Sequence, residues 1–82
     1  MIVKIKTFGR YQNITGKKEL KLEIKNGDTI WHVIDVFVKK FPEIEKDKKF
    51  LMVSKNNVYT NFEAKVTDGD EITISPPVVS GG

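Results

Sequence analysis

The sequence of 82 residues contains no cysteine and a single histidine, His32. Without thiols the chain has no disulfide, no thiolate metal site and no cysteine nucleophile. With one imidazole, a metal site would depend on carboxylates, and we expect none. No apolar run approaches the roughly 18 residues that a membrane-spanning helix needs. These shortages favour a soluble, cytoplasmic protein with no membrane partner.

Arginine is equally scarce, because Arg10 is the one arginine among 14 basic residues. The chain also has 11 acidic residues, which interrupt nearly every lysine cluster and leave a net charge of +3. Nucleic-acid-binding proteins usually concentrate basic charge on one face and use arginine for bidentate contacts. We therefore interpret the lysines as a solubilising surface and expect no nucleic-acid partner, while an acidic protein partner stays open.

What the chain does contain is a regular alternation of apolar and polar residues near both of its ends. The alternation covers residues 3–7, 19–25 and 71–75. A period of two is typical of half-buried strands. Residues 8–16 show no period and contain two glycines, which predicts a turn-like connection between the first two strands of an antiparallel hairpin.

One helix is predicted in the middle of the chain. Apolar residues fall there at helical spacing and form one stripe: Ile30, Val33, Ile34, Phe37 and Phe41. Asp28 or Thr29 is expected to cap the start of this helix, and Pro42 ends it near Phe41. Residues 43–49 are predicted to form a loop or a short turn of helix.

The predicted order is strand, strand, helix, strand, short strand, strand. A single helix across one face of a mixed sheet of four to five strands satisfies the need for two packed layers. This order predicts the α+β class and a β-grasp (ubiquitin-like) domain over residues 1–75. Pro76 and Pro77 cannot donate ladder hydrogen bonds, so residues 76–82 are predicted to form a flexible tail.

The composition of residues 76–82 suits a segment that delivers its terminal carboxylate to another protein. Seven extended residues reach roughly 23 Å, far enough to enter the active site of another protein. Without Cβ atoms, Gly81 and Gly82 can thread a narrow channel, and the terminal carboxylate is then free for adenylation by ATP. Val78 and Val79 have no core to join, which favours contact with a partner. By itself, a terminal pair of glycines is better explained by a frayed end, a truncation or the remnant of a tag.

The chain resembles the MoaD and ThiS sulfur carriers, which are β-grasp proteins. Three segments carry the resemblance: Asp68-Gly69-Asp70-Glu71-Ile72, Pro76-Pro77-Val78 and Ser80-Gly81-Gly82. The pair of prolines is more similar to MoaD, the small subunit of molybdopterin synthase, than to ThiS.

The resemblance implies a carrier rather than an enzyme. An activating enzyme uses ATP to adenylate the carboxylate of Gly82, and a persulfide sulfur donor converts it to a thiocarboxylate. The large synthase subunit then takes the sulfur for molybdenum or tungsten cofactor biosynthesis, and this chain binds no cofactor of its own. Gly81 lets Gly82 reach the partner, and the remaining tail residues are expected to bind it: Pro76, Pro77, Val78, Val79 and Ser80.

Two departures from the family pattern leave the partner open. Val78 and Val79 stand where the family has one valine, and Ser75 stands where it has a bulky apolar residue of the docking surface. The alternatives are a ubiquitin-like protein modifier, a sulfur carrier for thiamin or transfer-RNA thiolation, and a plain interaction domain.

The remaining candidate residues have structural interpretations. We expect Phe8, Phe50 and Phe62 to fill the core, since no basic patch flanks them. Trp31 lies off the main apolar stripe and is either a partial core filler or an exposed docking residue. His32 is expected to face solvent. The acidic pairs are interpreted as capping and turn residues rather than catalytic dyads: Asp28 with Asp35, and Asp68 with Asp70.

Overall fold

The computed structural model describes residues 1–77 of the chain. Its elements are β1 Ile2–Thr7, α1 Arg10–Thr15, β2 Glu19–Glu23, α2 Ile30–Lys40, a 3₁₀ helix Pro42–Phe50, β3 Met52–Lys55, β4 Val58–Tyr59 and β5 Glu71–Ser75. The predicted order of strands and main helix is confirmed, and α1 and the extended 3₁₀ helix are additions to it.

Within residues 1–77 the strands form one mixed sheet in the order β2-β1-β5-β3-β4. β1 and β5 are parallel, and the other neighbouring strands are antiparallel. The hairpin predicted from the first two strands is therefore present. Together with α2, this sheet confirms the predicted α+β, β-grasp architecture.

The core lies between α2 and one face of the sheet. Val3 and Ile5 of β1 are fully buried, whereas Lys4 and Lys6 beside them are partly exposed. The core residues of α2 and β5 are Ile30, Val33, Ile34, Phe37, Val38, Ile72 and Ile74. Because successive strand residues point to opposite faces, the outer face of the sheet carries the polar residues.

The start of α2 differs from the prediction of a side-chain cap. Thr29 occupies the capping position, but its side chain makes no capping hydrogen bond. The backbone N–H groups of Ile30 and Trp31 instead donate to the carbonyl groups of Ala64 and Phe62, over 2.9 and 3.0 Å. A distant loop thus satisfies the free amides of the first turn, which a local cap would otherwise do.

Residues 8–16 are not simply turn-like, as the prediction has it, because Arg10–Thr15 form the helix α1. Gly16 ends this helix in the left-handed conformation. Tyr11 is fully buried and holds α1 against the domain. A helix of six residues is too short to show a period in the sequence and depends on such tertiary contacts.

The segment Pro42–Phe50, predicted as a loop or short turn, forms a 3₁₀ helix. Its Ile44 is fully buried, and Lys48 pairs with Asp35 of α2. One apolar anchor therefore orders a segment whose composition is otherwise charged. Among residues 1–77, no helix is both long and apolar enough to cross a membrane.

Candidate functional site

β5 lies between β1 and β3 in the sheet, so the C-terminal segment starts from an interior strand. Ser75, its last residue, lies opposite Met52 at the start of β3. Ile74 lies opposite Thr7 at the end of β1. Pro76 and the residue after it lie outside the strand, as their missing N–H groups predict. We call this place, where the chain leaves the sheet, the exit.

The turn between β1 and α1 forms one wall of the exit. A Cβ atom built on Gly9 would lie 3.8 Å from Cγ of Pro76, which places the first tail residue against this turn. Gly9 has φ 59° and ψ −137°, a conformation that is essentially restricted to glycine. Sequence reasoning did not single out Gly9, because the contact joins two segments that only the fold brings together.

A cluster of three side chains ties α1 to the 3₁₀ helix beside the exit. The Tyr11 hydroxyl donates to Oδ2 of Asp47 over 2.7 Å, and Nη2 of Arg10 donates to the same oxygen over 2.6 Å. These two hydrogen bonds hold the pKa of Asp47 below its ordinary value of 3.8. Burial, together with the bond to Asp47, raises the pKa of Tyr11. The tyrosine therefore stays neutral, and its hydrogen bond to Asp47 links α1 to the 3₁₀ helix.

The opposite end of β5 is fastened by Asp70, which is 7% exposed. Its carboxylate accepts hydrogen bonds from the N–H and hydroxyl of Thr67, over 2.8 and 3.1 Å, and from Asn56 over 3.0 Å. Burial opposes ionisation, but the three hydrogen bonds outweigh it and lower the pKa of Asp70. Asp68 accepts from the N–H of Ile2 over 2.8 Å. Asp70 thus has the turn-forming role that the sequence predicts, whereas Asp68 links the turn to the start of β1.

The other acidic pair also has structural partners. Asp28 lies 3.4 Å from Nε2 of His32, one turn along α2, and Asp35 pairs with Lys48. The His32 side chain is 44% exposed, in agreement with the prediction that it faces solvent. Within residues 1–77, no group of three or more potential metal ligands lies together.

The outer face of the sheet carries a depression beside the exit. Register places Lys6, Thr73, Ser54 and Tyr59 in one row across four strands. Ser75 and Met52 form the next row toward the exit, and Phe8 follows the end of β1 at that level. We call the depression the cup; it has a volume of about 410 Å³ and is lined mainly by Phe8, Met52, Ser54, Tyr59, Thr73 and Ser75.

The prediction that the aromatic residues fill the core is wrong for Phe8 and Phe50, which are 55% and 68% exposed. Both lie just beyond or at the end of a regular element, where periodicity no longer fixes the direction of a side chain. Trp31 is 38% exposed and meets the ring of Phe62 edge-on, with centroids 4.5 Å apart. Phe62 packs partly buried against the core, as predicted.

The structure places only part of the predicted tail. Pro76 and Pro77 are described at the exit and are half-buried. Five residues with predicted roles lie outside the described part of the chain: Val78, Val79, Ser80, Gly81 and Gly82. Their roles in partner binding and sulfur transfer stay predictions, as does the division between a domain of residues 1–75 and a flexible tail of residues 76–82.

The fold defines a ubiquitin-like β-grasp domain whose chain leaves the sheet from the interior strand β5. The chain matches the model of the ThiS family over residues 5–82. Because this match spans nearly the whole chain, the protein belongs to the ThiS family.

Individual relatives agree with this family. The molybdopterin synthase sulfur carrier subunit of Arabidopsis thaliana is 35% identical over 80 residues, which cover 98% of this chain and 82% of that protein. The small archaeal modifier protein 1 of Methanosarcina acetivorans is 27% identical, with a TM-score of 0.80 and coverage of 99% of this chain and 96% of that one.

A second similar structure comes from the complex of subunits 1 and 2 of the molybdopterin-converting factor of Helicobacter pylori. It aligns with a TM-score of 0.66 and 18% identity, covering 99% of this chain and 100% of that chain. At this identity the similarity concerns the fold alone.

Proposed function

We propose that this chain is the sulfur-carrier subunit of a molybdopterin synthase, with the carboxylate of Gly82 as its working group. The chain carries sulfur into the synthase and leaves the catalysis of ring chemistry to its partner. Its relative in Arabidopsis thaliana, which matches over 98% of the chain, bears this function in its name. Sulfur transfer then belongs to the biosynthesis of the molybdenum or tungsten cofactor.

The observation that carries the proposal is the position of the exit. The segment leaves from an interior strand whose other end is fastened by Asp70, and Pro76 lies against Gly9 at the point of departure. A chain of seven residues, such as 76–82, spans roughly 23 Å when it is fully extended. A carboxylate at that distance can enter a buried active site while the domain stays outside.

The chemistry requires no side chain of the carrier. A carboxylate oxygen of Gly82 attacks the α-phosphorus of ATP in the activating enzyme, and pyrophosphate leaves. The terminal sulfur of a persulfide donor then attacks the acyl carbon and displaces AMP. A thiol cleaves the resulting acyl disulfide by exchange and supplies the two electrons, which leaves the thiocarboxylate on Gly82.

Three partners follow from this sequence of steps: an adenylating enzyme, a sulfur donor and the large synthase subunit. The structural neighbour from Helicobacter pylori, solved as a complex of subunits 1 and 2, supports the large subunit as a partner. The tail residues Val78, Val79 and Ser80 are proposed to contact these partners. A location in the cytoplasm remains a prediction.

The test is the intact mass of the purified chain after incubation with ATP, an activating enzyme and a persulfide donor. We expect a mass increase equal to the replacement of one oxygen by one sulfur. A variant lacking Gly82 is the matched control and should show no increase. The activating enzyme is first proven competent on another carrier, so that an unchanged mass of the full chain contradicts the proposal.

A second candidate function is protein modification, in which the acyl-adenylate of Gly82 reacts with a lysine amine instead of sulfur. The similarity to the archaeal modifier protein, at 27% identity, favours this alternative over others. Lysine-linked conjugates of the chain, found by peptide mass spectrometry and lost with Gly82, would support it. Sulfur carriage toward thiamin or transfer RNA shares the same loaded intermediate and differs in the acceptor that consumes it.

A further inference from the structure

β2 is an edge strand of the sheet and has β1 as its neighbour on one side. Within residues 1–77, no strand pairs with its other side. The strand Glu19–Glu23 therefore presents one row of backbone N–H and C=O groups to solvent. An edge of this kind accepts a further strand unless its side chains prevent the pairing.

The hydrogen bonds to β1 show which residues form this free row. Met1 and Ile24 exchange two bonds of 2.8 Å, because the N–H of Ile24 donates to the carbonyl of Met1 and the Met1 amino group donates back. Hydrogen-bonded and non-hydrogen-bonded pairs alternate along an antiparallel ladder. By the register of β1 with β2, the backbone groups of Glu19, Lys21 and Glu23 therefore point away from β1.

The side chains along this row alternate in charge. Four exposed residues of alternating sign lie two apart in the chain: Glu19, Lys21, Glu23 and Lys25. Within residues 1–77, the ion pairs shorter than 4 Å include neither Lys21 nor Glu23. An edge with lysines alone would repel a second copy. Alternating signs can instead complement themselves when the strand pairs with an antiparallel copy, since opposite charges then face each other.

A two-fold axis at Leu22 makes this complementarity complete. It places Lys21 opposite Glu23 of the second copy, and Glu19 opposite Lys25 of that copy. Each contact occurs twice by symmetry, so every charge of the row faces its opposite. On the inner face, Leu22 lies opposite its own copy and the half-buried Leu20 lies opposite Ile24 of the second copy.

The neighbouring registers are unfavourable. An axis at Lys21 or at Glu23 sets that charge opposite its own copy, and like charges directly opposite are destabilising. An axis at Leu20 sets Lys18 opposite the apolar Leu22. A slip by one residue turns the apolar side chains to the outer face. The sequence of the edge therefore selects one antiparallel register.

We propose that two copies of this chain pair through their β2 strands, about a two-fold axis at Leu22, and join their sheets into one. The outward backbone groups of Lys21 and Glu23 exchange hydrogen bonds with those of the second copy. β1 lies between β2 and β5, so the pairing involves neither β5 nor the exit. The inference thus goes beyond the proposed function and does not depend on it.

The pairing surface is small. A strand of five residues buries less area than the roughly 1,200 Å² at which specific interfaces begin. We therefore expect a reversible dimer with a dissociation constant on the order of 0.1 mM. Because part of its stability comes from ion pairs on an exposed face, added salt should weaken it.

The experiment is sedimentation equilibrium of the full chain from about 10 µM to about 1 mM. Lys21→Glu places a carboxylate opposite Glu23 at two symmetric positions and should raise the dissociation constant about tenfold or more. Glu23→Lys should have the same effect by setting two ammonium groups opposite each other. The double variant exchanges the two charges and should restore dimerisation to within about threefold.

The matched controls make the same charge changes elsewhere. Lys49→Glu lies on the exposed surface of the 3₁₀ helix, and Glu63→Lys lies in the exposed loop before residue 65. Both should dimerise within about twofold of the original chain, since exposed charges far from the edge contribute little. Thermal unfolding of every variant verifies that it is folded.

NMR locates the dimer interface independently of the variants. The amide resonances of Glu19, Lys21 and Glu23 should shift with protein concentration, and their hydrogens should exchange more slowly in the dimer. The amides of Val58 and Tyr59 lie in the edge strand β4 on the opposite side of the sheet and should not change. A dimer that shifts β4 instead of β2 contradicts the inference.

The remaining outcomes are equally decisive. A chain that stays monomeric up to about 1 mM would overturn the inference and leave the edge to a strand of another protein. A dimer that Lys21→Glu leaves unchanged, or that Glu23→Lys strengthens, would also overturn it. Sulfur loading of Gly82 is measured separately by intact mass, so the failure of either idea leaves the other standing.

Discussion

The two ends of β5 are built in opposite ways. At the start, Asp70 gathers hydrogen bonds from Thr67 and Asn56, and the N–H of Lys4 donates to its carbonyl over 2.9 Å. At the exit, the strand stops at Ser75, and Pro76 lies close enough to Gly9 that a Cβ there would meet its Cγ at 3.8 Å. One end of the strand is fixed by polar bonds, and the other releases the chain.

This difference shows how hydrogen bonds at one end of a strand affect the place where the chain leaves the sheet at the other end. The bonds at Asp70 help to hold the register between β1 and β5, in which Ile74 is the last paired residue, one position before Ser75 ends the strand. A slip of one residue would move the exit by roughly 3.3 Å and turn the core residues of β5 to solvent. The strongly bonded end of β5 therefore helps to set the place where Pro76 leaves the sheet.

The largest effect on stability is expected from Asp70→Ala. The substitution leaves the donors of Thr67 and Asn56 without their acceptor, so the free energy of unfolding should fall by about 2–3 kcal/mol in urea titrations. Asp68→Ala, in the same turn but with one exposed bond to Ile2, should cost about 0.5 kcal/mol. Equal losses in the two variants would mean that the buried carboxylate does not fasten this end.

Gly9→Ala tests the exit end. The alanine cannot adopt φ 59° and ψ −137° without strain, and we expect a loss of about 2 kcal/mol in the free energy of unfolding. Gly16→Ala, at the other end of α1 with φ 73° and ψ 9°, should cost about 1 kcal/mol. Nothing lies within 4 Å of a Cβ at Gly16, so that variant serves as the control for contact with the tail.

The two glycine variants also differ in what NMR should detect. Only Gly9→Ala should shift the resonances of Ser75 and Pro77, because the added Cβ would lie 3.8 Å from Cγ of Pro76. If both variants shifted these resonances alike, the contact between Gly9 and Pro76 would not position the tail.

A smaller effect on stability is expected when the hydrogen bonds that Arg10 and Tyr11 donate to Asp47 are weakened. Tyr11→Phe removes the hydrogen bond to Asp47 and leaves the one from Arg10, so stability should fall by about 1 kcal/mol. Tyr59→Phe changes an exposed tyrosine and should leave the unfolding free energy unchanged. A neutral result for Tyr11→Phe would show that burial of the ring alone holds α1 in place.

Acid should lower the free energy of unfolding gradually, through the carboxylates of Asp47 and Asp70. Asp47 and Asp70 have pKa values below the ordinary 3.8, so the unfolded chain binds protons more readily than the folded one. Their stabilisation is complete above that value and is lost as the pH falls below it. Unfolding curves between about pH 6 and 2.5 should show this decline, and the double variant Asp47→Asn with Asp70→Asn should flatten it. If the unfolding free energy of the double variant declined with pH at the same slope, other carboxylates would cause the acid sensitivity.

The strands and the main helix could be predicted from the sequence because the spacing of apolar residues along the chain shows which side chains face the core. The alternation over residues 71–75 places Ile72 and Ile74 on one face, and both are buried as predicted. The same local rule failed at Phe8 and Phe50, which stand where no element continues to constrain them.

By itself, the sequence determined the order of the elements, the inward face of each strand and the position of the prolines that end β5, since these depend on local period and covalent geometry. Only the tertiary structure decided that Pro76 lies beside Gly9 and that Asp47 accepts a hydrogen bond from Tyr11. It also decided that small and large residues from four strands form a cup. These contacts join segments distant in the chain, and strand register, which packing of the whole core sets, brings them together.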